Sequence, residues 1–509
     1  MTADQPQDAP DSISPKSPSP TTQRAVAQPE RSRAVVVGAG PNGLTAAALL
    51  ARAGWQVDVY ERAARPGGAA ASAPVFGPDT IVDLGAAAHP FGAASPVFHE
   101  LELERYGLEW CRAEFPLAHP FDDRPAALLH HSLAETAAQF DQDASAWQRV
   151  HAPLVRRLDR HLENLLAPML RWPAHPVDLA RIVPAALPSA TALARVAFRD
   201  DAARAFLLGS AAHAMAPLTQ PMTAAFGTLF GALGQTSGWP VAIGGSGAIT
   251  DALARALEAH GGRLHLGHEV RDLRELPPAT ASVLSLTPRQ VLALTRDGDA
   301  LPPATARRLR GWRHGSAAYK VDFLLDGPVP WRDARVGQAS TVHVIGTPAE
   351  LVRAEAEVAS RRLPAHPMVI VCQQQAADPS RASNRTIIWA YAHVPFGYRD
   401  AHPGEVRGRI EAQIERFAPG FRDRILEYCE SSPAALEAWN PNLVGGDIAG
   451  GAMTGRQVLF RPGFTLAPHR LAPGLYLASA STPPGAGVHG MPGAWAARTA
   501  LADAARRAG

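Results

Sequence analysis

Gly38, Gly40 and Gly43 form a GxGxxG run in AVVVGAGPNGLTAAALLARAGWQVDVYE, and Glu61 follows 21 positions after the central glycine. That pattern suits a dinucleotide. Gly38 permits a tight turn, Gly40 lets a pyrophosphate reach the backbone at a helix N-terminus, and Gly43 lets helix and strand pack closely. Pro41 belongs to the same turn. Glu61 ends the following strand, where its carboxylate can accept hydrogen bonds from both ribose hydroxyls. FAD and NAD share this chemistry, so the run by itself admits an NAD-only dehydrogenase as well as a flavoprotein.

A second glycine loop lies near the other end of the chain, in the run STPPGAGVHG. Gly485, Gly487, Val488 and Gly490 offer backbone amides just ahead of a helix, so they can meet an anionic or carbonyl group without side-chain chemistry. His489 is the only titratable side chain in that loop and is a candidate acid, base or hydrogen-bond partner. His89, in DLGAAAHPFG after Asp83, is a second candidate. Both are also the kind of histidine that serves structure alone. Other chemistries lack their parts: there is no HExxH, Walker loop, GxSxG or clustered Cys/His ligand set, so no metal site is expected.

The elements that position these residues read as an α/β protein. The apolar run Ala34 to Val37, a helix over 42–53 and a strand over 55–60 describe a βαβ unit of a parallel sheet. Thr250 is expected to cap a helix over 251–260, ended by Gly261-Gly262, with a strand over 263–270 after it. Apolar runs at 319–325, 340–345, 368–373 and 386–393 predict a separate, mostly antiparallel sheet. A helix with Val406, Ile410, Ile414 and Phe417 on one face follows, then a short strand at 474–478 and a C-terminal helix from about Gly493. The region from about 100 to 235 reads as mainly helical. These elements divide into a tail (1–32), a discontinuous nucleotide-binding domain (33–100, 241–312 and 455–509) and a mixed sheet-and-helix substrate domain (101–240 and 313–454). The tail carries six prolines among Ser, Thr and Gln, a composition that favours disorder over a packed core.

Composition limits the partners. The 509 residues carry 49 basic and 47 acidic side chains, which leaves no electrostatic footprint for nucleic acid. Cys111, Cys372 and Cys429 are scattered, which argues against a disulfide framework and fits a reducing cytosol. The first residues lack a secretory n-region and h-region, and a cytoplasmic location is expected. Between Ala205 and Thr250 there are 46 residues without Asp, Glu, Lys or Arg. Pro217, Pro221 and Pro240 break that stretch, so a buried core or apolar cavity lining is favoured over monotopic membrane contact. Met222, Phe226, Phe230 and Trp239 are its candidate lining, although such a stripe is more often core.

Downstream of Glu61 the sequence continues ERAARPGGAAAS, with Arg62, Arg65 and Gly67-Gly68 after the acid. This run resembles the FAD-binding fingerprint of flavin amine oxidases and phytoene desaturases. GWPVAIGGSGAITDALARALEAHGGRLHLGHEV and LYLASASTPPGAGVHGMPGAWAARTAL resemble two further blocks of the phytoene desaturase group, in the family order. The resemblance implies FAD as cofactor. Gly38, Gly40, Gly43, Glu61, Arg65, Gly68 and Val270 would hold its ADP half; Gly485, Gly487, Val488 and Gly490 would lie beside the flavin, and Ser481 in the closing block. Ala69 stands where amine oxidases continue with Arg, and Pro483-Pro484 replaces the usual His-Pro.

The resulting expectation is an FAD-dependent oxidoreductase that passes hydride between an apolar, isoprenoid or lipid-like substrate and flavin, with oxygen, a quinone or NAD(P) as electron acceptor. The substrate class follows the uncharged stretch, and peripheral membrane contact is an accompanying expectation. A redox-neutral flavin isomerase and a flavin-binding interaction scaffold are the alternatives. Amine oxidases commonly place a lysine near the flavin; the folded body has only Lys320, which reads as a structural strand position, so an amine substrate loses weight.

Overall fold

The computed structural model describes residues 32–508 apart from Ser383. The Pro-rich tail read from residues 1–32 falls almost wholly outside them. The first sheet is built from β1 (Arg33–Val37), β2 (Gln56–Tyr60), β3 (Arg263–His265), β4 (Ala281–Leu284), β5 (Arg470–Ala472) and β6 (Leu475–Leu477). Its order is β5-β6-β4-β1-β2-β3, parallel throughout except for the β5/β6 pair. Helix α1 (Pro41–Arg52) makes the β1-to-β2 crossover, while α2 (Gly247–Ala259) and α3 (Met491–Ala508) pack beside it.

A parallel sheet needs cover on both faces. Val36, Val57, Leu44, Leu50, Ile249 and Leu253 fill one side, each at or near zero exposure. Val37, Leu284, Val291 and Leu477 seal the other. Burying each large aliphatic side chain is worth roughly 1.5–3 kcal/mol.

The second sheet has the order 425–431, 317–325, 386–394, 369–372, 339–344, 115–119, 127–129. It is antiparallel except where 339–344 runs parallel to 115–119. Along Ala317–Leu325 the odd residues Tyr319, Val321 and Phe323 face the helix Glu405–Phe417, whose Val406, Ile410, Ile414 and Phe417 are all buried. Lys320 and Asp322 therefore point to the opposite face, by the two-residue period of a strand.

Several sequence expectations change. Thr250 does not cap α2. The helix begins four residues earlier than expected, at Gly247 after Ser246, and the Thr250 hydroxyl donates back to the Gly247 carbonyl inside it (2.9 Å). The strand expected over 263–270 stops at His265, because Gly267 turns the chain with a φ of 67°. Strands 115–119, 127–129, 281–284 and 425–431 were not expected at all. Leu101, Leu103, Leu108, Leu162 and Leu166, from beyond residue 100, pack into the first sheet's core. The uncharged stretch forms most of two interior helices, Asp201–Ala212 and Thr223–Gly234. No single helix among the described residues is long and apolar enough to cross a membrane; one pair, Pro176–Ala186 with Ala190–Ala197, has the composition but is bent by 84°.

Candidate functional site: a nucleotide cradle and an aromatic row

The first βα turn is held by backbone. Gly38 adopts φ 98°, and a Cβ on Gly43 would sit 1.9 Å from the Gly38 carbonyl oxygen. The loop after β2 folds onto this turn: the Gly67 amide donates to the Ala39 carbonyl (3.0 Å), and a Cβ on Gly68 would lie 2.8 Å from the Gly40 Cα. Only glycine fits these approaches. Helix α1 has no side-chain N-cap and Pro41 opens it, so the first-turn amides remain free to meet an anion.

Glu61 sits at the rim of this cradle. Its Oε2 accepts from the Ala39 amide (2.7 Å) and its Oε1 from the Ala63 amide (2.9 Å), which fixes the carboxylate beside the turn. The segment after β3 runs alongside, with the amides of Gly267 and His268 donating to the carbonyls of Ala63 and Glu61 (both 2.8 Å). Val270 is buried there with Val37 and Leu284. Arg62 and Arg65 are exposed.

The C-terminal glycine loop closes over the same end of the sheet. A Cβ on Gly493 would lie 1.9 Å from the Asn42 carbonyl oxygen, and one on Gly490 would lie 2.4 Å from Thr45 Oγ1, so α3 begins directly against α1. Ser481 Oγ donates to the Gly450 carbonyl (2.6 Å). Gly485 and Gly487 both take positive φ, at 114° and 132°. Arg461 is fully buried behind the loop: its Nη2 donates to the carbonyls of Ala449 (3.2 Å) and Gly451 (2.8 Å), while Nε and Nη1 have no partner among the described residues. A Cβ on Gly485 would come within 2.9 Å of that Nη1. An uncapped helix N-terminus, a side-chain-free cradle, a fixed rim carboxylate and an orphaned buried guanidinium together fit the phosphates, ribose and ring of FAD.

The two candidate histidines part company. His489 belongs to the loop: its Nδ1 accepts from the Met491 amide (3.1 Å), and the Ser95 hydroxyl donates to its carbonyl (2.7 Å). Burial pushes its pKa down to about 4, so it is neutral at pH 7, with Nδ1 already engaged. The His89 ring instead bonds Ser246 Oγ (2.7 Å), and burial likewise lowers it to about 4. Because the Ser246 hydroxyl donates to the Ala86 carbonyl (2.6 Å), it accepts from His89 Nε2. His89 thus joins a buried knot. Asp83 accepts from the Ser246 amide (2.7 Å) and from Arg381 Nη1 (3.0 Å), and Arg381 also holds Asp378 (2.8 Å).

From His489 an aromatic row leads to the second sheet. Phe91 meets the His489 ring edge-on at 5.8 Å, Phe230 meets Phe91 at 5.2 Å, and His213 stacks on Phe230 at 5.0 Å. Trp239 closes on Phe230 (5.5 Å) and His213 (5.1 Å). On the same sheet face Lys320 and Asp322 form a buried ion pair, with the ammonium 5.8 Å from the Trp389 ring centroid. Burial raises the Asp322 carboxyl to about 6 against the pull of Lys320.

Sequence reasoning missed Phe91, His213, Arg381, Arg461 and Asp322. Of these, the D-x-x-R spacing of Asp378 and Arg381 was the visible signal, since it places a charged pair one turn apart.

Comparison with known proteins decides the family. The model of the family described as flavin containing amine oxidoreductase matches residues 42–500. The chain belongs to that family. It is an FAD-dependent oxidoreductase of mixed α/β fold. Pyridine nucleotide-disulfide oxidoreductase domain-containing protein 2 of Rattus norvegicus is 26% identical over 92% of this chain and 93% of its own. An uncharacterised protein of Mycobacterium tuberculosis is 30% identical over 75% and 76%. In structure, wild-type putrescine oxidase bound to putrescine aligns with TM-score 0.60 at 18% identity, over 94% and 99% of the two chains. An oxidoreductase from Methanosarcina mazei gives 0.59 at 17%, over 92% and 100%. At those identities the two structural likenesses speak for the fold.

Proposed function

We propose that this flavoenzyme moves hydride between an apolar, isoprenoid or lipid-like substrate and its flavin, as the phytoene desaturase-like group does. The observation that carries the reading is the aromatic row Phe91, Phe230 and Trp239, which starts at the flavin-side loop and carries no charged side chain. FAD supplies the hydride acceptor or donor when bound. The chain's part is to bind and orient: the glycine cradle and Glu61 hold the nucleotide, and the row aligns an extended hydrocarbon while excluding water. His489 stays neutral and holds the loop through its Nδ1. Lys320 is compensated by Asp322 within the fold.

An amine substrate finds less support, because the row offers no carboxylate to receive an ammonium. The test is to incubate the holoenzyme with acyclic isoprenoids and an electron acceptor (oxygen, a quinone or NAD(P)) and to weigh the product. Loss or gain of two hydrogens supports the proposal; an unchanged mass with a moved double bond supports the redox-neutral alternative; oxidation of amines alone overturns both.

A lipid-like substrate also calls for a source. The exposed apolar side chains that stand out lie away from the uncharged stretch, at Trp172 (81% exposed), Phe464 (73%) and Leu466 (83%). Met169, Leu170, Phe460 and Leu466 share a surface groove with Arg171, with Asp503, and with Arg498 and Arg506, which pair with Glu100 (2.6 Å) and Asp503 (3.2 Å) respectively. Apolar side chains beside arginines suit an anionic bilayer surface. Co-sedimentation with phosphatidylglycerol vesicles, abolished by Leu466→Glu with Trp172→Glu, checks this.

A further inference from the structure

The aromatic row ends in a polar pair. His213 Nε2 and His343 Nε2 lie 2.9 Å apart, so one ring donates and the other accepts. Both rings are neutral: burial pushes His213 down to about 3 and His343 well below its usual value. His343 is sealed. Its Nδ1 has no hydrogen-bond partner among the described residues, and the helix Asp201–Ala212 lies against it so closely that a Cβ on Gly209 would come within 2.4 Å. A buried N–H without a partner is rarer and costlier than a buried bare acceptor. The proton of His343 therefore sits on Nε2 and is donated to His213 Nε2.

That assignment fixes His213. A neutral imidazole that accepts at Nε2 carries its proton on Nδ1. His213 Nδ1 has no hydrogen-bond partner among the described residues, and the ring, although deep in the protein, is only half-buried, as are Phe230 and Phe91 along the row. No group close by accepts from it among the described residues: the two bare ring nitrogens there, His119 Nδ1 and His393 Nε2, make no hydrogen bond to His213. Trp239 Nε1 donates to the Phe230 carbonyl (3.2 Å), His119 donates to the Gly346 carbonyl (3.0 Å), and His393 is tied to Glu355 (2.8 Å).

We propose that His213, with its tautomer set by His343, is a substrate-recognition residue that donates from Nδ1 to an uncharged oxygen, a hydroxyl or carbonyl, at the end of the substrate remote from the flavin. This rests on the apolar-substrate reading and narrows it from a pure hydrocarbon to an isoprenoid or lipid carrying one neutral oxygen. A carboxylate is disfavoured, because a neutral imidazole does not compensate a buried charge.

The test compares phytane, phytol and phytanate, which share one branched chain, by titrating the holoenzyme and reading the flavin absorbance change. Phytol is expected to bind about 3- to 10-fold tighter than phytane, the span of one neutral hydrogen bond. In His213→Phe that preference disappears while phytane still binds. His213→Gln, which keeps a donor, retains part of it. Flavin content and melting temperature show that each variant is folded. Equal binding of phytol and phytane to the wild type, or a preference that survives in His213→Phe, overturns the assignment alone. Binding of none of the three overturns the apolar-substrate reading and the assignment with it.

Discussion

The nucleotide cradle and the aromatic row meet at the 485–490 loop but are built by opposite means. In the cradle, close approach is made by removing side chains: Gly38, Gly43, Gly68 and Gly493 let backbone touch backbone, Gly490 makes room for Thr45, and Glu61 is fixed at the rim. In the row, recognition is made by side chains brought from distant places, Phe91 and His489 from beside the cradle, His213 from the end of the helix Asp201–Ala212, Phe230 from the helix Thr223–Gly234 and Trp239 from the loop after it. A backbone site is unforgiving of added volume and tolerant of side-chain chemistry. A side-chain site is the reverse. The cofactor end should therefore fail when a methyl is added, and the substrate end when a ring or donor is removed.

The largest effect is expected at the buried ion pairs of Arg381, which lie outside both regions' contact at the 485–490 loop. Arg381→Met leaves Asp83 and Asp378 buried without their cation, which costs about 3–5 kcal/mol and should appear in urea unfolding as lost stability or as insoluble protein. Gly43→Ala comes next: its methyl collides with the Gly38 carbonyl, and FAD content should fall more than about tenfold with far-UV circular dichroism retained, an overpacking cost of roughly 1–3 kcal/mol.

Acid provides a third test, on both regions at once. His89, His119, His151, His469 and His489 are pushed down to about 4 by burial. The unfolded chain binds these protons near pH 6.5 and the folded chain does not, so stability is full above pH 6.5 and is lost as pH falls through 4. The melting temperature should drop steeply over that window. The smallest effects separate the two sites. Glu61→Gln should weaken FAD several-fold and leave substrate binding to the loaded enzyme unchanged, whereas Phe230→Ala should weaken an isoprenoid by about tenfold with FAD content intact, as read by flavin titration.

The same contrast explains what was legible in the sequence. The first turn of the cradle is local, so Gly38, Gly40, Gly43, the acid at the end of β2 and the helix between them appear within 30 residues, and the period of apolar residues reveals them. The strand Ala281–Leu284 escaped because four residues carry no period, although it lies at the centre of the first sheet. Strands 115–119 and 127–129 escaped because a mainly helical region surrounds them. Thr250 was read as the cap by its residue type, but Gly244 and Gly245, both at positive φ, had already turned the chain into α2. The row was legible only in part, for a different reason: Phe230, Trp239 and His489 stood out singly, but Phe91 and His213 did not, nor did the way they meet. Phe91, His213, Phe230 and His489 are spread over some 400 positions, and no spacing rule links them. Their meeting is a product of the packed fold.

The most direct measurement is anaerobic mixing of the oxidised holoenzyme with phytoene and other acyclic isoprenoids, and separately with putrescine, while the flavin band is followed. Bleaching by an isoprenoid with none by putrescine is the expected result. Bleaching by putrescine with none by any isoprenoid would contradict the account, because the uncharged aromatic row would then have no substrate to align.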